Sequence, residues 1–120
     1  MSTDPVNVRS IDEVCVVSFA PGVDLDDPTV EILRPKLLSA VTERAPRGLV
    51  LDVTNVPLAS SRALGLFLTL RMKVHRAGAQ AAIAGASPTL AHVFALTNLD
   101  KLYFVCATVE EALARIRAAT

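Results

Sequence analysis

Leu49-Val50-Leu51-Asp52-Val53, then Thr54-Asn55-Val56-Pro57-Leu58-Ala59-Ser60-Ser61, then a largely apolar segment from Arg62 to Arg76: this stretch decides the fold. Leu49 to Leu51 and Val53 form a nearly continuous apolar run, which suits a strand covered on both faces of a sheet. Pro57 stops regular structure. Ser60 or Ser61 then stands where a hydroxyl can accept a bond from an unpaired amide of the first helical turn. The unit reads as a buried strand, a short loop carrying two adjacent hydroxyls, and a helix.

In that helix Ala63, Leu66, Phe67, Leu70 and Val74 recur at helical spacing, with Leu64 and Leu68 widening the apolar side, so it is built to lie on a sheet. Arg62, Thr69, Lys73 and Arg76 fall on the opposite side. Gly65 shares that polar side, where a better helix former would be favoured by roughly 1 kcal/mol. Close approach of a partner is one reason for a glycine there; simple tolerance of an exposed glycine is the other.

Outward from this unit the chain alternates. Val6 to Arg9 reads as a short edge strand, turning near Ser10 to Asp12 into a second strand, Val14 to Phe19, to make a hairpin. Asp27 as cap and Pro28 at the first helical position open a helix running to about Arg44, which Pro35 is expected to kink or divide. Ala45 to Gly48 leads into the Leu49 strand. After the central helix, Ala77-Gly78 stops it and Gln80 to Ala84 forms a strand. Ser87 and Pro88 start a helix that carries Leu90, Val93, Phe94 and Leu96 inward and closes at Thr97-Asn98. Leu102 to Cys106 is the last strand, and Thr108 to Glu111 is a capping box opening a C-terminal helix through Ala112, Leu113 and Ile116. Strands alternating with helices through short connections predict an α/β fold: a mostly parallel sheet of four to five strands, an N-terminal hairpin strand and about four helices. Loops at the carboxyl ends of the parallel strands, including Thr54 to Ser60, then gather on one side, where such folds place functional groups.

Composition narrows the function. The 120 residues make one domain over 1–120, with residues 1–5 expected to be a flexible N-terminus. Twelve basic and twelve acidic residues cancel, so no phosphate-neutralising surface is indicated and no direct nucleic-acid contact is expected. No apolar run approaches the roughly 20 residues that span a bilayer, and Met1 to Pro5 lacks a signal-peptide pattern, so membrane insertion is not expected and the cytoplasm is. Cys15 and Cys106 read as small core residues kept reduced there.

Little catalytic chemistry is written in the chain. His75 and His92 have no second ligand at metal spacing, so neither a metal nor a cofactor is expected. Ser60 and Ser61 lack the nucleophile elbow of a hydrolase, and the loop before them contains no glycine to cradle phosphate. No residue is assigned a catalytic role. Asp24, Asp26 and Asp27 lack the glycine and distal glutamate of a calcium loop and read as a helix cap with solvated neighbours. Asp52, inside an apolar strand, needs hydrogen-bonding partners and is expected to brace the loop that follows it.

Leu49 to Val56, Leu58-Ala-Ser-Ser-Arg-Ala-Leu-Gly65, the amphipathic helix and the strand after Gly78 resemble the STAS domain of anti-sigma factor antagonists. The family signature is a strand ending in Leu-Asp-Leu, a short loop, and Asp-Ser-Ser-Gly-Leu-Gly at the helix start. Val23 to Thr29 is similar to the segment before the family's first helix, Ala86-Ser-Pro to that before its third, and Asn98-Leu99 to its closing Gly-Leu turn. Ser60 stands at the family's Asp, Ser61 at its phosphorylated serine, Arg62 at a small hydroxyl residue and Ala63 at a glycine; Leu64 and Gly65 agree.

The resemblance implies a non-enzymatic, STAS-like binding module that docks an anti-sigma factor or serine kinase-type regulatory protein. Asp24, Ser60, Ser61, Arg62, Gly65 and Thr69 are its expected partner-binding residues and Ser61 its phosphorylation site. Other readings are a constitutive subunit of a signalling assembly or lipid-transport ABC system without a phosphate switch, and a small-molecule or nucleotide-binding sensor. A homodimer or larger assembly stays open.

Overall fold

The computed structural model describes residues 5–44 and 46–119. Apart from Pro5, the segment expected to be flexible lies outside them. The Pro5 carbonyl accepts the Ala20 N–H at 3.0 Å. In chain order the elements are β1 (Val6–Ile11), β2 (Val14–Phe19), α1 (Asp27–Glu43), β3 (Gly48–Asp52), α2 (Ser61–Arg76), β4 (Gln80–Ala84), α3 (Pro88–Leu96), β5 (Phe104–Cys106) and α4 (Val109–Ala118), with a 3₁₀ turn at Leu99–Lys101 before β5.

Among the described residues the strands form one sheet in the order β1-β2-β3-β4-β5. β1 is antiparallel to β2, and the other pairs are parallel, Val16 facing Val50 and Val50 facing Ala82. The fold is therefore the predicted α/β sheet with an N-terminal hairpin, five strands and four α-helices.

Alternation along the strands separates two apolar layers. Cys15, Val17, Leu49, Leu51 and Ile83 meet α1, α2 and α3 on one face. Val14, Val16, Val50, Ala82 and Ala84 meet Ala112, Leu113 and Ile116 of α4 on the other. The heavier side carries the aromatic chain Phe19, Phe67 and Phe94, with successive ring centroids 6.3 Å apart. All five predicted inward residues of α2 are buried, and that burial places the helix start beside the end of β3.

Three local expectations are corrected. Asp26, not Asp27, caps α1: its Oδ1 accepts the Thr29 N–H at 3.0 Å, and Asp27 is the first helical residue. Hydrogen bonding from the Thr29 side chain and from its N–H holds the Asp26 carboxyl below its ordinary range. Pro35 does not divide α1 into separate elements, because the helix runs unbroken from Asp27 to Glu43. Pro35 lies on the exposed side, where water can satisfy the carbonyl deprived of its amide partner. Leu96 does not point inward; it is 70% exposed, while Leu99 is buried. Asn98, at φ +62°, reverses the chain after the Thr97 cap and returns Leu99 to the core.

Candidate functional site

At the carboxyl end of β3 the chain leaves Asp52 for a loop held at several points. Asp52 Oδ1 accepts the Thr54 N–H at 3.1 Å and the Thr54 hydroxyl at 2.6 Å, an Asx-type turn closed by both donors of one residue. Val53 and Val56 are buried beneath it. The Val53 N–H donates to the Ala84 carbonyl of β4 at 2.9 Å, and Asn55 Nδ2 donates to the Phe19 carbonyl of β2 at 3.3 Å. The loop thus rests on the ends of both neighbouring strands.

A contact not legible in the sequence joins this loop to the one before α1. Leu25 and Ala59 form an isolated parallel bridge, and the Ser60 N–H donates to the Leu25 carbonyl at 2.9 Å. The buried side chain of Leu25 anchors it, so exposed Asp24 and Asp26, its chain neighbours, border the start of α2. Apolar Leu25 among aspartates was the available signal; its partner, 34 positions away, was not.

The two serines divide their work. Ser60 is half-buried and caps α2, its Oγ accepting the Ala63 N–H at 3.2 Å. Ser61, the first helical residue, is exposed, and its side chain makes no hydrogen bond to another described residue. The adjacent Arg62 turns to α1: Nη1 is 2.9 Å from Glu31 Oε1 and Nε is 3.7 Å from Asp27 Oδ2. Asp27 and Glu31 are four apart on one helical face, which is why a single guanidinium reaches both. Glu31 also lies 3.5 Å from Arg34 Nη2. Glu31 was missed by sequence reasoning, since a pair between helices leaves no local pattern.

One turn further, Gly65 is exposed, and a Cβ on it would meet nothing within 4 Å. No packing among the described residues requires this glycine. Thr69 Oγ1 donates back to the Gly65 carbonyl at 3.0 Å, a bond of the i−4 type common for threonine in helices. Ser60, Ser61 and Arg62 therefore share the loop junction with Asp24, while Thr69 stands two turns, about 12 Å, along the helix from Ser61. Among the described residues no group of three or more His, Cys, Asp or Glu is placed to hold a metal ion. No helix among them is long and apolar enough to cross a membrane.

A mostly parallel α/β sheet with an N-terminal hairpin, and a helix following its central strand, is the fold of anti-sigma factor antagonists. The family model described as "STAS domain" matches residues 5–112, and the chain belongs to the STAS domain family. It is similar to the structure of an anti-sigma factor antagonist from Mycobacterium paratuberculosis, with a TM-score of 0.82 and 25% identity over 93% of this chain and 92% of that one. The anti-sigma factor antagonist SpoIIAA in its unphosphorylated form shares the fold, with a TM-score of 0.79 and 24% identity over 94% of this chain and 96% of that one. A STAS-domain containing protein of Pseudomonas aeruginosa is 34% identical over 58 residues, a match spanning 48% of this chain and 57% of that relative.

Proposed function

We propose that this domain is a non-enzymatic regulatory module that docks a kinase-type anti-sigma partner through the surface from Ser60 to Gly65, with Asp24 and Thr69 at its edges, and that phosphorylation of Ser61 ends the docking. The observation that carries the reading is the separation of roles between the two hydroxyls. Ser60 holds the helix cap, which leaves exposed Ser61 free to be modified at no cost to the fold. A phosphate there adds about −1.5 to −2 charge. The helix N-terminus tolerates that charge within the domain. In an interface already bordered by Asp24, Asp27 and Glu31, the same charge opposes docking by repulsion and desolvation.

The open space over Gly65 supports close approach of a partner backbone. The likeness to anti-sigma factor antagonists, one of them described in an unphosphorylated form, supports the partner class. A second reading, a constitutive STAS subunit without a phosphate cycle, draws on Arg62: its guanidinium is tied to α1 carboxylates where the family pattern has a small hydroxyl residue.

The two are separated by capture from native cell extract with wild type, Ser61→Ala and Ser61→Asp as baits, reading bound proteins and bait phosphorylation by mass spectrometry. The switch requires a kinase-type partner on wild type and Ser61→Ala, its loss on Ser61→Asp, and phosphate at Ser61. The same partners on all three baits, with Ser61 unmodified, sink the switch and leave the constitutive subunit.

A further inference from the structure

Along one flank of α2 two hollows meet. The first, of about 520 Å³, is walled by Leu64, Leu68, Leu99 and Leu102 and opens at Gly65. The second, of about 270 Å³, is lined by Arg71, Lys101 and Arg115 together with Asp100. Lys101 and Leu102 belong to the walls of both. Leu64, Leu68 and Arg71 follow one another at helical spacing, so the hollows lie in succession between α2 and the chain that enters β5, and we treat them together as one groove.

The two parts differ in chemistry. The first is apolar and its volume falls in the range of small-molecule sites. The second gathers three cations and one carboxylate. Among the described residues, no carboxylate lies at ion-pair distance from Arg71, Lys101 or Arg115, although Arg34, Arg47, Arg62 and Arg117 are each paired. Arg71 Nε donates to the Leu102 carbonyl at 3.2 Å, which fixes its guanidinium at the junction, and Arg115 lies 4.7 Å over the Phe104 ring. In a chain of zero formal charge, an apolar hollow thus ends against an excess of positive charge, three cations to one carboxylate.

We propose that this groove binds a single-chain amphiphilic anion of the fatty-carboxylate class, its chain along the leucines and its head group against Lys101 and Arg71. The leucine hollow contains no aromatic ring on which a base would stack, which favours an alkyl chain over a nucleotide. A purely apolar ligand would leave the cations unused. The site stands apart from the identity of any protein partner, although Gly65 belongs to both surfaces, so an occupied groove would compete with docking.

The test is a methyl NMR titration of the full chain with decanoate and, separately, decanol. Decanoate is expected to shift the methyls of Leu64, Leu68, Leu99 and Leu102, and Leu68→Asp, at a half-exposed position, to abolish the shifts while the remaining spectrum reports an intact fold. Lys101→Gln is expected to weaken decanoate roughly tenfold, the loss of one charge-assisted contact, and to leave decanol unchanged. Absence of leucine shifts with decanoate overturns the proposal. So does equal binding of decanol and decanoate with no effect of Lys101→Gln, which would mark the groove as an apolar docking face for a protein.

Discussion

Arg62 lies 2.9 Å from Glu31, and this pair fastens the first turn of α2 to the first turns of α1 across the candidate site. Both side chains are about half exposed, 58% and 48%, so water and salt screen the attraction. Arg62→Ala is expected to cost no more than about 1 kcal/mol, less in high salt. Urea melts at low and high ionic strength check this. A larger loss that persists in high salt would mean that the pair holds the two helices together rather than shaping the site's charge.

The adjacent serines should separate in a stability measurement. Ser60→Ala removes the oxygen that accepts the Ala63 N–H and is expected to cost about 1 kcal/mol, typical of a lost N-cap. Ser61→Ala removes an exposed hydroxyl with no bond to another described residue and is expected to stay within about 0.5 kcal/mol of wild type. Reversal of that order in denaturant melts would move the cap to Ser61 and remove the basis for a freely modifiable hydroxyl.

Gly85, just past β4, supports the site loop from below. Its φ is +76°, and a Cβ there would collide with Thr54 Oγ1, the hydroxyl that donates to Asp52. Gly85→Ala is expected to cost about 1–2 kcal/mol from the left-handed backbone alone, with a further loss as Thr54 is pushed from Asp52. Adding Thr54→Ala should recover only part, because the Thr54 Cα also stands 3.2 Å from the added atom. Melts of the single and double variants measure the split. Full recovery would show that the backbone at Gly85 carries no strain.

What the sequence disclosed follows from the range of the interactions involved. The strand at Leu49, the inward face of α2 and the caps at Ser87 and Thr108 rest on periodicity and on bonds three residues long, so local pattern carries them. At Asp26-Asp27 two good caps stand side by side, and only the observed bond to Thr29 chooses between them. The contacts that assemble the site are of another kind. Leu25 meets Ala59, Arg62 meets Glu31, and Gly85 lies against Thr54; each depends on which loops the parallel sheet brings together. The site residues were legible as types, while their mutual support was not.

Tyr103 sets a limit on alkaline stability. Its ring is buried and its hydroxyl donates to the Phe67 carbonyl of α2 at 2.5 Å. Burial pushes the phenol well above its ordinary value, against the opposing pull of Arg71. The unfolded chain therefore loses this proton near its ordinary value of about 10, while the folded chain retains it. The stabilisation is fully present below about pH 10 and declines above it by roughly 1.4 kcal/mol per pH unit. Cys15 and Cys106 are also pushed up by burial, so a separate decline is expected to begin near the ordinary thiol value of about 8.5. Tyr103→Phe should cost about 1 kcal/mol at neutral pH, through the lost hydrogen bond. It should leave the thiol part of the decline in place and flatten the part above about pH 10. Urea melts of both proteins from about pH 7 to about pH 11 follow the two limbs. Parallel stability curves across that range would show that Tyr103 ionises as readily in the folded chain as in the unfolded one.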